Sequence, residues 1–586
     1  MSRADRILPV RVGEDAGMVE VTERLRATPP APAALPRHTW VDWLLPVGVP
    51  TVLVALHMQL YGRWIVDDAA ITFAYARSLA AGEGAVLQPG ADPVEGYSNP
   101  AWLAVLVLGR WLGLFDRGTW FGVPDLVVFP KFVALLCCAG VFAGFYAVAR
   151  AVSRRPVLLT VVAGAATAAV PSFVIWVSSG LENPLLALAA VTLAALLARA
   201  AVARRLLEVR VAVGCGLLAA LAALTRPDGL IYAAAYPVAV LLLLQPARVP
   251  RAAQAVVVST LAFAIPAGAY LAWRLATFGE YLPNTALAKA QGVPTAEELG
   301  RPSELVAYTG WLTVVLVVGV IAAAMLQRGR GRTVLAMLLV PLGLAVAAFA
   351  VLEADWMGEY RFATPVWPLT ALAASVAGAR VLPQLAARAR AGVAVVALVA
   401  VGLTGLGWAS AAETFRKAPT VPMCAVAQNI GASVNGFAVI LGVPGGALAT
   451  PDVGGSALTS RFEIVDLAGL ASAPIARFWR AGDMPGLRDY VFDEVRPVFI
   501  ETHGFWSGGT GIVADARMTA DYVPIHLTDD RSGWWVRRDL VPSRERLATA
   551  REWAATVAVP QTMRYGVDAP RSSCGDTLTP GTATLG

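Results

Sequence analysis

The stretch Leu44-Leu-Pro-Val-Gly-Val-Pro-Thr-Val-Leu-Val-Ala-Leu-His57-Met-Gln-Leu-Tyr61 is apolar for roughly the length that crosses a bilayer as a helix, and it is followed almost at once by Trp64-Ile-Val-Asp67-Asp68. An acidic doublet just past an apolar span lies at a membrane surface. Carboxylates there can take a proton from a sugar hydroxyl or hold a divalent cation, since both tasks need a group ionised near neutral pH. The plainer reading is a helix cap or solvated loop, because Asp is favoured at N-caps and Ala69 to Ala81 has a helical pattern.

The rest of the chain extends the first span. Of 586 residues, 57% are hydrophobic and 15% charged, and the mean hydropathy is +0.61, which excludes a water-soluble globule. Apolar runs recur near Val127 to Val148, Val157 to Trp176, Leu181 to Ala198, Val211 to Leu224 and Leu230 to Leu244. They continue near Ala253 to Leu275, Leu305 to Leu326, Val334 to Leu352, Pro365 to Val381 and Val393 to Trp408, giving about eleven transmembrane helices. Ala101 to Leu114 is short and broken by Arg110, and reads as an interfacial or re-entrant helix.

The net charge of +6 lies in arginine clusters between apolar runs, not along one face, so it indicates topology and not nucleic-acid binding. Every second loop is basic: Arg150, Arg154 and Arg155; Arg199, Arg204, Arg205 and Arg210; Arg248 and Arg251; Arg328, Arg330 and Arg332; Arg380, Arg388 and Arg390. Retention of Arg on the cytoplasmic side puts the alternate, acid-bearing loops outside. The expected organisation is a multi-pass plasma-membrane protein: residues 1–40 a disordered cytoplasmic tail, 41–410 the membrane domain, and 411–586 an extracytoplasmic mixed α/β domain. Strands are expected at Phe437 to Leu441, Ala447 to Thr450, Phe462 to Val465, Pro497 to Glu501 and Trp534 to Arg537, with helices at Val421 to Ser433 and Leu487 to Glu494. Cys424 and Cys574 are the only cysteines outside the spans, and an oxidising compartment would permit a bridge between them. His57, alone in the first span, reads as a hydrogen-bonded helix residue, and His503 and His526 as structural.

Each external loop carries polar chemistry: Glu95-Gly-Tyr97-Ser-Asn-Pro100, Ser179-Gly-Leu-Glu182, Thr225-Arg226-Pro-Asp228, Pro283-Asn284-Thr-Ala-Leu-Ala-Lys289, and Asp355-Trp356-Met-Gly-Glu-Tyr360-Arg361. Singly, these are turn residues, interfacial anchors and an aromatic belt; together they bring carboxylates, cations and amides to one interface. The chain has no Walker loop, paired-cysteine metal site or Gly-x-Ser-x-Gly elbow, so no nucleotide cofactor is expected.

This ordered set, from Trp64-Ile-Val-Asp67-Asp68 to Tyr360-Arg361-Phe362, resembles the polyprenyl-phosphate-dependent glycosyltransferases of the GT-C architecture, and is most similar to the arabinofuranosyltransferases that cap cell-wall arabinan. The Asp452-Val-Gly and Val465-Asp-Leu-Ala-Gly-Leu470 segments carry the likeness more weakly into the tail. The resemblance implies transfer of a sugar, arabinofuranose first, from a polyprenyl monophosphate to a cell-envelope glycan on the extracytoplasmic face. The loop from Asp92 to Pro100 leaves a mannosyl or other sugar transferase open. It further implies Asp67 and Asp68 as catalytic carboxylates, with Asp68 the base and Asp67 orienting it or holding a divalent metal. Arg226, Arg361 and Lys289 would stabilise the donor phosphate, and Glu182, Asn284, Asp355, Trp356, Tyr360 and Tyr97 would contact sugar or acceptor. A lipid or sugar flippase is the alternative from another class; it would place ionisable groups near the bilayer midplane, in repeated halves.

Overall fold

A computed structural model describes residues 41–289, 292, 294–529, 531–562, 578–581 and 583. The expected N-terminal tail and Cys574 lie outside the described residues. From Trp43 onward the chain is one compact unit.

Among the described residues eight helices are long and apolar enough to cross a membrane, or ten if each of two bent pairs counts as one span. Seven of the expected spans fall on such long helices, from Asp42–Tyr61 to Ala387–Lys417. Two fall on the bent pairs. Pro156–Ala169 meets Pro171–Ser178 at 77° because Pro171 forces the preceding Val170 into extended backbone. Glu298–Thr309 meets Trp311–Leu326 at 105° at Gly310, whose φ of 85° is a conformation that side chains disfavour. The remaining two are the shorter helices Val209–Thr225 and Pro227–Leu242. The region expected to be interfacial is a helix of 12 residues, Pro100–Trp111. The eighth long helix, Met423–Leu441, was not among the expected spans; 78% of its apolar window is buried inside the protein, so it needs no lipid.

Burial separates the helices by role. Asn183–Val202 is central, packed against Asp125–Val152, Val209–Thr225 and Arg330–Val351. By contrast, only 11% of the apolar windows of Pro246–Phe278 and Ala387–Lys417 is buried. Leu398 and Leu406 on the latter are exposed. Helices this apolar with so little protein cover are stable only where lipid surrounds them. His57 bonds the Ala168 carbonyl and the Tyr61 hydroxyl, as expected of a helix histidine.

The C-terminal region carries a five-stranded mixed sheet made of β1 (Ala447–Thr450), β2 (Glu463–Asp466), β3 (Phe499–Thr502), β4 (Tyr522–Leu527) and β5 (Gly533–Arg537), in the order β2-β1-β3-β5-β4. The first three run parallel, β1 in the middle, and β5 pairs antiparallel with both β3 and β4. β4 escaped the sequence reading because Pro524 and a register shift interrupt its alternation. Phe437 to Leu441, expected as a strand, completes the helix Ser433–Leu441; a short apolar run has no period that separates the two states. Cys424 is disulfide-bonded.

Candidate active site

The segment Trp64–Asp68 is threaded between a membrane loop and the C-terminal region. Val66 N–H donates to the Ser179 carbonyl at 3.0 Å, and Asp67 N–H to the Val421 carbonyl at 2.9 Å. Met423 N–H returns a bond to Ile65 at 2.9 Å, and the Trp64 indole donates to Thr420 at 2.8 Å. Val66 is the N-cap of the helix Asp67–Ala81, so the doublet forms its first turn and does not cap it. Consecutive helical residues point about 100° apart, and the two carboxylates therefore face different surroundings.

Asp67 faces the C-terminal region. Its Oδ1 accepts from Gly455 N at 2.7 Å and its Oδ2 from Gly454 N at 3.1 Å. A Cβ on Gly454 would sit 2.0 Å from the Asp67 carbonyl oxygen, so only glycine permits this approach. Burial, then the Asp452 carboxylate, pushes the Asp67 pKa well up, while the two amides pull it down. Asp452 itself is raised to about 6 by burial, against the pull of His503.

Asp68 faces a cavity of about 380 Å³, within the range of small-ligand sites. Tyr97, Glu182, Arg226, Lys289, Asp355, Trp356 and Arg361 also line it. Burial raises the Asp68 pKa; Lys289 and Arg361 lower it, and Asp355 and Glu182 raise it further. Arg361 pairs with Asp355 at 2.7 Å and lies over the rings of Trp176 and Phe362. Arg226 bonds Glu182 at 3.1 Å and Asp228 at 2.8 Å, and it too lies over the Phe362 ring, 4.6 Å from its centroid. Glu182 is fixed from its second oxygen by Asn99 at 2.8 Å. Both arginines are thus neutralised by carboxylates, whereas Lys289 has no ion pair with a described acid.

Three residues expected in the site lie off the cavity wall. Asp67 is turned to the glycine amides, as above. Asn284 donates its amide to the Gly469 and Leu470 carbonyls at 2.7 and 2.9 Å, tying the short helix Asn284–Lys289 to the C-terminal region. Tyr360, at positive φ, packs edge-on against Tyr308 at 5.0 Å. Among the described residues no group of three or more His, Cys, Asp or Glu is placed to hold a metal ion.

The sequence reading missed partners more than site residues. Asp466, raised to about 7 by burial, accepts from Ala468 N and Ala471 N and so shapes the loop whose Leu470 lines the cavity. Glu95 is held by Tyr270 and Arg274. Gly454-Gly455 lies after a strand and at a helix start, the usual signal of an anion cradle.

No family model and no curated protein matches the sequence. Solved structures do match. ArnT from Cupriavidus metallidurans in the apo state is 15% identical, with 86% of this chain and 99% of that chain covered, at a TM-score of 0.55. ArnT bound to undecaprenyl phosphate is also 15% identical, covering 86% and 100%, at a TM-score of 0.52. The chain has the GT-C fold.

Proposed function

We propose that this GT-C membrane protein is a glycosyltransferase that moves a sugar from a polyprenyl monophosphate to an acceptor hydroxyl in the Asp68 cavity. The observation that carries the reading is the opposition, within one small cavity, of an open carboxylate, Asp68, to the cations Lys289 and Arg361. ArnT bound to undecaprenyl phosphate lends support through the shared fold.

In the proposed step the acceptor oxygen bonds the anomeric carbon as the bond from that carbon to the phosphate oxygen breaks. The hydroxyl proton passes to Asp68, and the electron pair leaves with the polyprenyl phosphate. Lys289, together with Arg361, stabilises the charge that grows on the departing phosphate. Arg226 orients Glu182 for a sugar hydroxyl, and Asp355, Trp356 and Tyr97 complete the walls. Asp67 is a positioning residue that fixes the start of the helix. A divalent cation beside Asp68 would meet Lys289 and Arg361, which already supply positive charge there, so no step is routed through a metal. Arabinofuranose is the preferred donor sugar and a cell-envelope glycan the acceptor, with mannose or another sugar the alternative. The arginine-rich loops support an extracytoplasmic cavity and a cytoplasmic N-terminus; the disulfide at Cys424 fits an oxidising compartment.

The test supplies purified protein with a panel of polyprenyl-phosphate sugars and acceptor glycans and identifies products by mass spectrometry. One productive donor, lost in Asp68→Asn, supports the reading. Turnover undiminished in Asp68→Asn, or no product from any donor while labelled lipid or sugar crosses proteoliposomes, overturns it.

A further inference from the structure

The helix ends remote from the Asp68 cavity enclose a second cavity, of about 1310 Å³. Two helices join the pair. Arg330–Val351 starts at the second cavity and ends beside Leu352 of the first, while Arg361–Gln384 runs from Arg361 of the first to Arg380 and Leu382 of the second.

Among the described residues the second cavity is lined by Arg154, Arg155, Arg328, Arg330, Arg380 and Arg390, and by no carboxylate. None of the six forms an ion pair with a described acid. Arg380 donates to the Gln327 and Arg328 carbonyls at 2.7 and 2.8 Å, and its Nε is buried without a partner among the described residues. The remaining wall is largely apolar, with Leu158, Leu159, Val162, Val376 and Leu382. A groove of about 570 Å³ adjoins it, sharing Arg154, Arg155 and Leu158 and continuing over Leu45, Val49 and Val161.

Guanidinium groups gathered with no counter-charge among the described residues repel one another, and the planar fork of each matches phosphate oxygens. Topology accounts for arginines at this end but requires neither a cavity nor a groove. Free phosphate would satisfy the arginines and leave the apolar groove without a role. An amphiphile satisfies both. We propose that this is a binding site for an anionic phospholipid, its phosphodiester headgroup among the arginines and an acyl chain in the groove over Leu45, Val49, Leu158 and Val161. Basic pockets between membrane helices hold such headgroups. The proposal does not depend on sugar transfer at the other end.

Full-length protein purified in neutral detergent is titrated separately with phosphatidylglycerol, phosphatidylcholine and inorganic phosphate. Bound lipid is counted by native mass spectrometry and Tm followed by tryptophan fluorescence. Phosphatidylglycerol should be retained and should raise Tm, and the other two should do neither. Arg154→Gln with Arg328→Gln should weaken phosphatidylglycerol retention at least tenfold, and Arg154→Lys with Arg328→Lys should keep more of it. Equal retention of phosphatidylcholine, equal stabilisation by phosphate, or unchanged retention in the glutamine pair overturns the proposal. If the glutamine pair does not fold, competition between the two lipids on the unaltered protein decides it.

Discussion

At the residue scale, two adjacent aspartates acquire different roles because one helical step turns one towards backbone amides and the next towards an open cavity. Asp68→Asn removes the proposed base but keeps the size, so the proposed transfer should fall by roughly 10²–10⁴-fold with Tm unchanged, measured as product formation beside thermal unfolding. The pH profile gives a sharper check. Burial raises the Asp68 pKa and Lys289 and Arg361 lower it, and only the ionised form accepts a proton. The rate should therefore rise with pH through a value above the ordinary carboxylate range. In Lys289→Met the loss of a neighbouring cation should move that acid limb of kcat/KM to higher pH; a limb that stays in place would show that another group titrates. Asp67 is tested through its cradle. A Cβ on Gly455 would lie 2.3 Å from the Met423 carbonyl oxygen and 2.5 Å from Ala427 N, both backbone atoms with little freedom to yield. Gly455→Ala should destabilise by about 1–3 kcal/mol, read as a fall in Tm, whereas an unshifted Tm would mean that the cradle is loose.

At the element scale, the spans were legible because hydropathy over about 20 residues is a direct record of lipid contact. The bends at Val170 and Gly310 were less so, since a kinked span keeps the same apolar length. Elements that meet only protein were read less well: the helix expected at Val421 to Ser433 is there, but it continues through Phe437 to Leu441, a run expected as a strand because it carries no decisive period. The same limit explains Asn284, which sequence assigned to sugar and the fold assigns to the Gly469 and Leu470 carbonyls. Those bonds hold the helix Asn284–Lys289, and with it Lys289, against the loop shaped by Asp466. Asn284→Ala leaves one buried and one partly buried acceptor without that donor, at about 1–3 kcal/mol, and frees the helix that presents Lys289. Donor KM should rise about tenfold, since 1.4 kcal/mol corresponds to a factor of ten in binding, with a smaller change in kcat. Asn284→Asp, which sets a carboxylate against two carbonyls, should be worse. A loss confined to kcat would instead place Asn284 at the reacting atoms.

At the scale of the whole molecule, the acidic doublet is completed by parts of the chain that lie far away in sequence, and no local pattern records such pairings. Thr420, Val421 and Met423 bond the Trp64–Asp67 segment, and Gly454 and Gly455 hold the Asp67 carboxylate. Arg77, on the same helix as the doublet, donates to the Leu458 and Leu578 carbonyls at 3.0 and 2.7 Å. The C-terminal region is therefore structural to the cavity, in addition to any role in holding an acceptor glycan. A chain ending at residue 417 keeps the membrane helices but leaves the Trp64 indole, the Asp67 amide and the Asp67 carboxylate without these partners. Each buried group so orphaned costs about 1–3 kcal/mol, enough together to loosen the start of the Asp67–Ala81 helix while lipid still holds the spans. The truncated protein should insert in the membrane, lose transfer, and be cut by trypsin after Arg63 and Arg77 at least tenfold faster than the full chain, with sites mapped by mass spectrometry. Equal cleavage together with retained turnover would mean that the membrane helices build the cavity alone and that the C-terminal region serves only the acceptor.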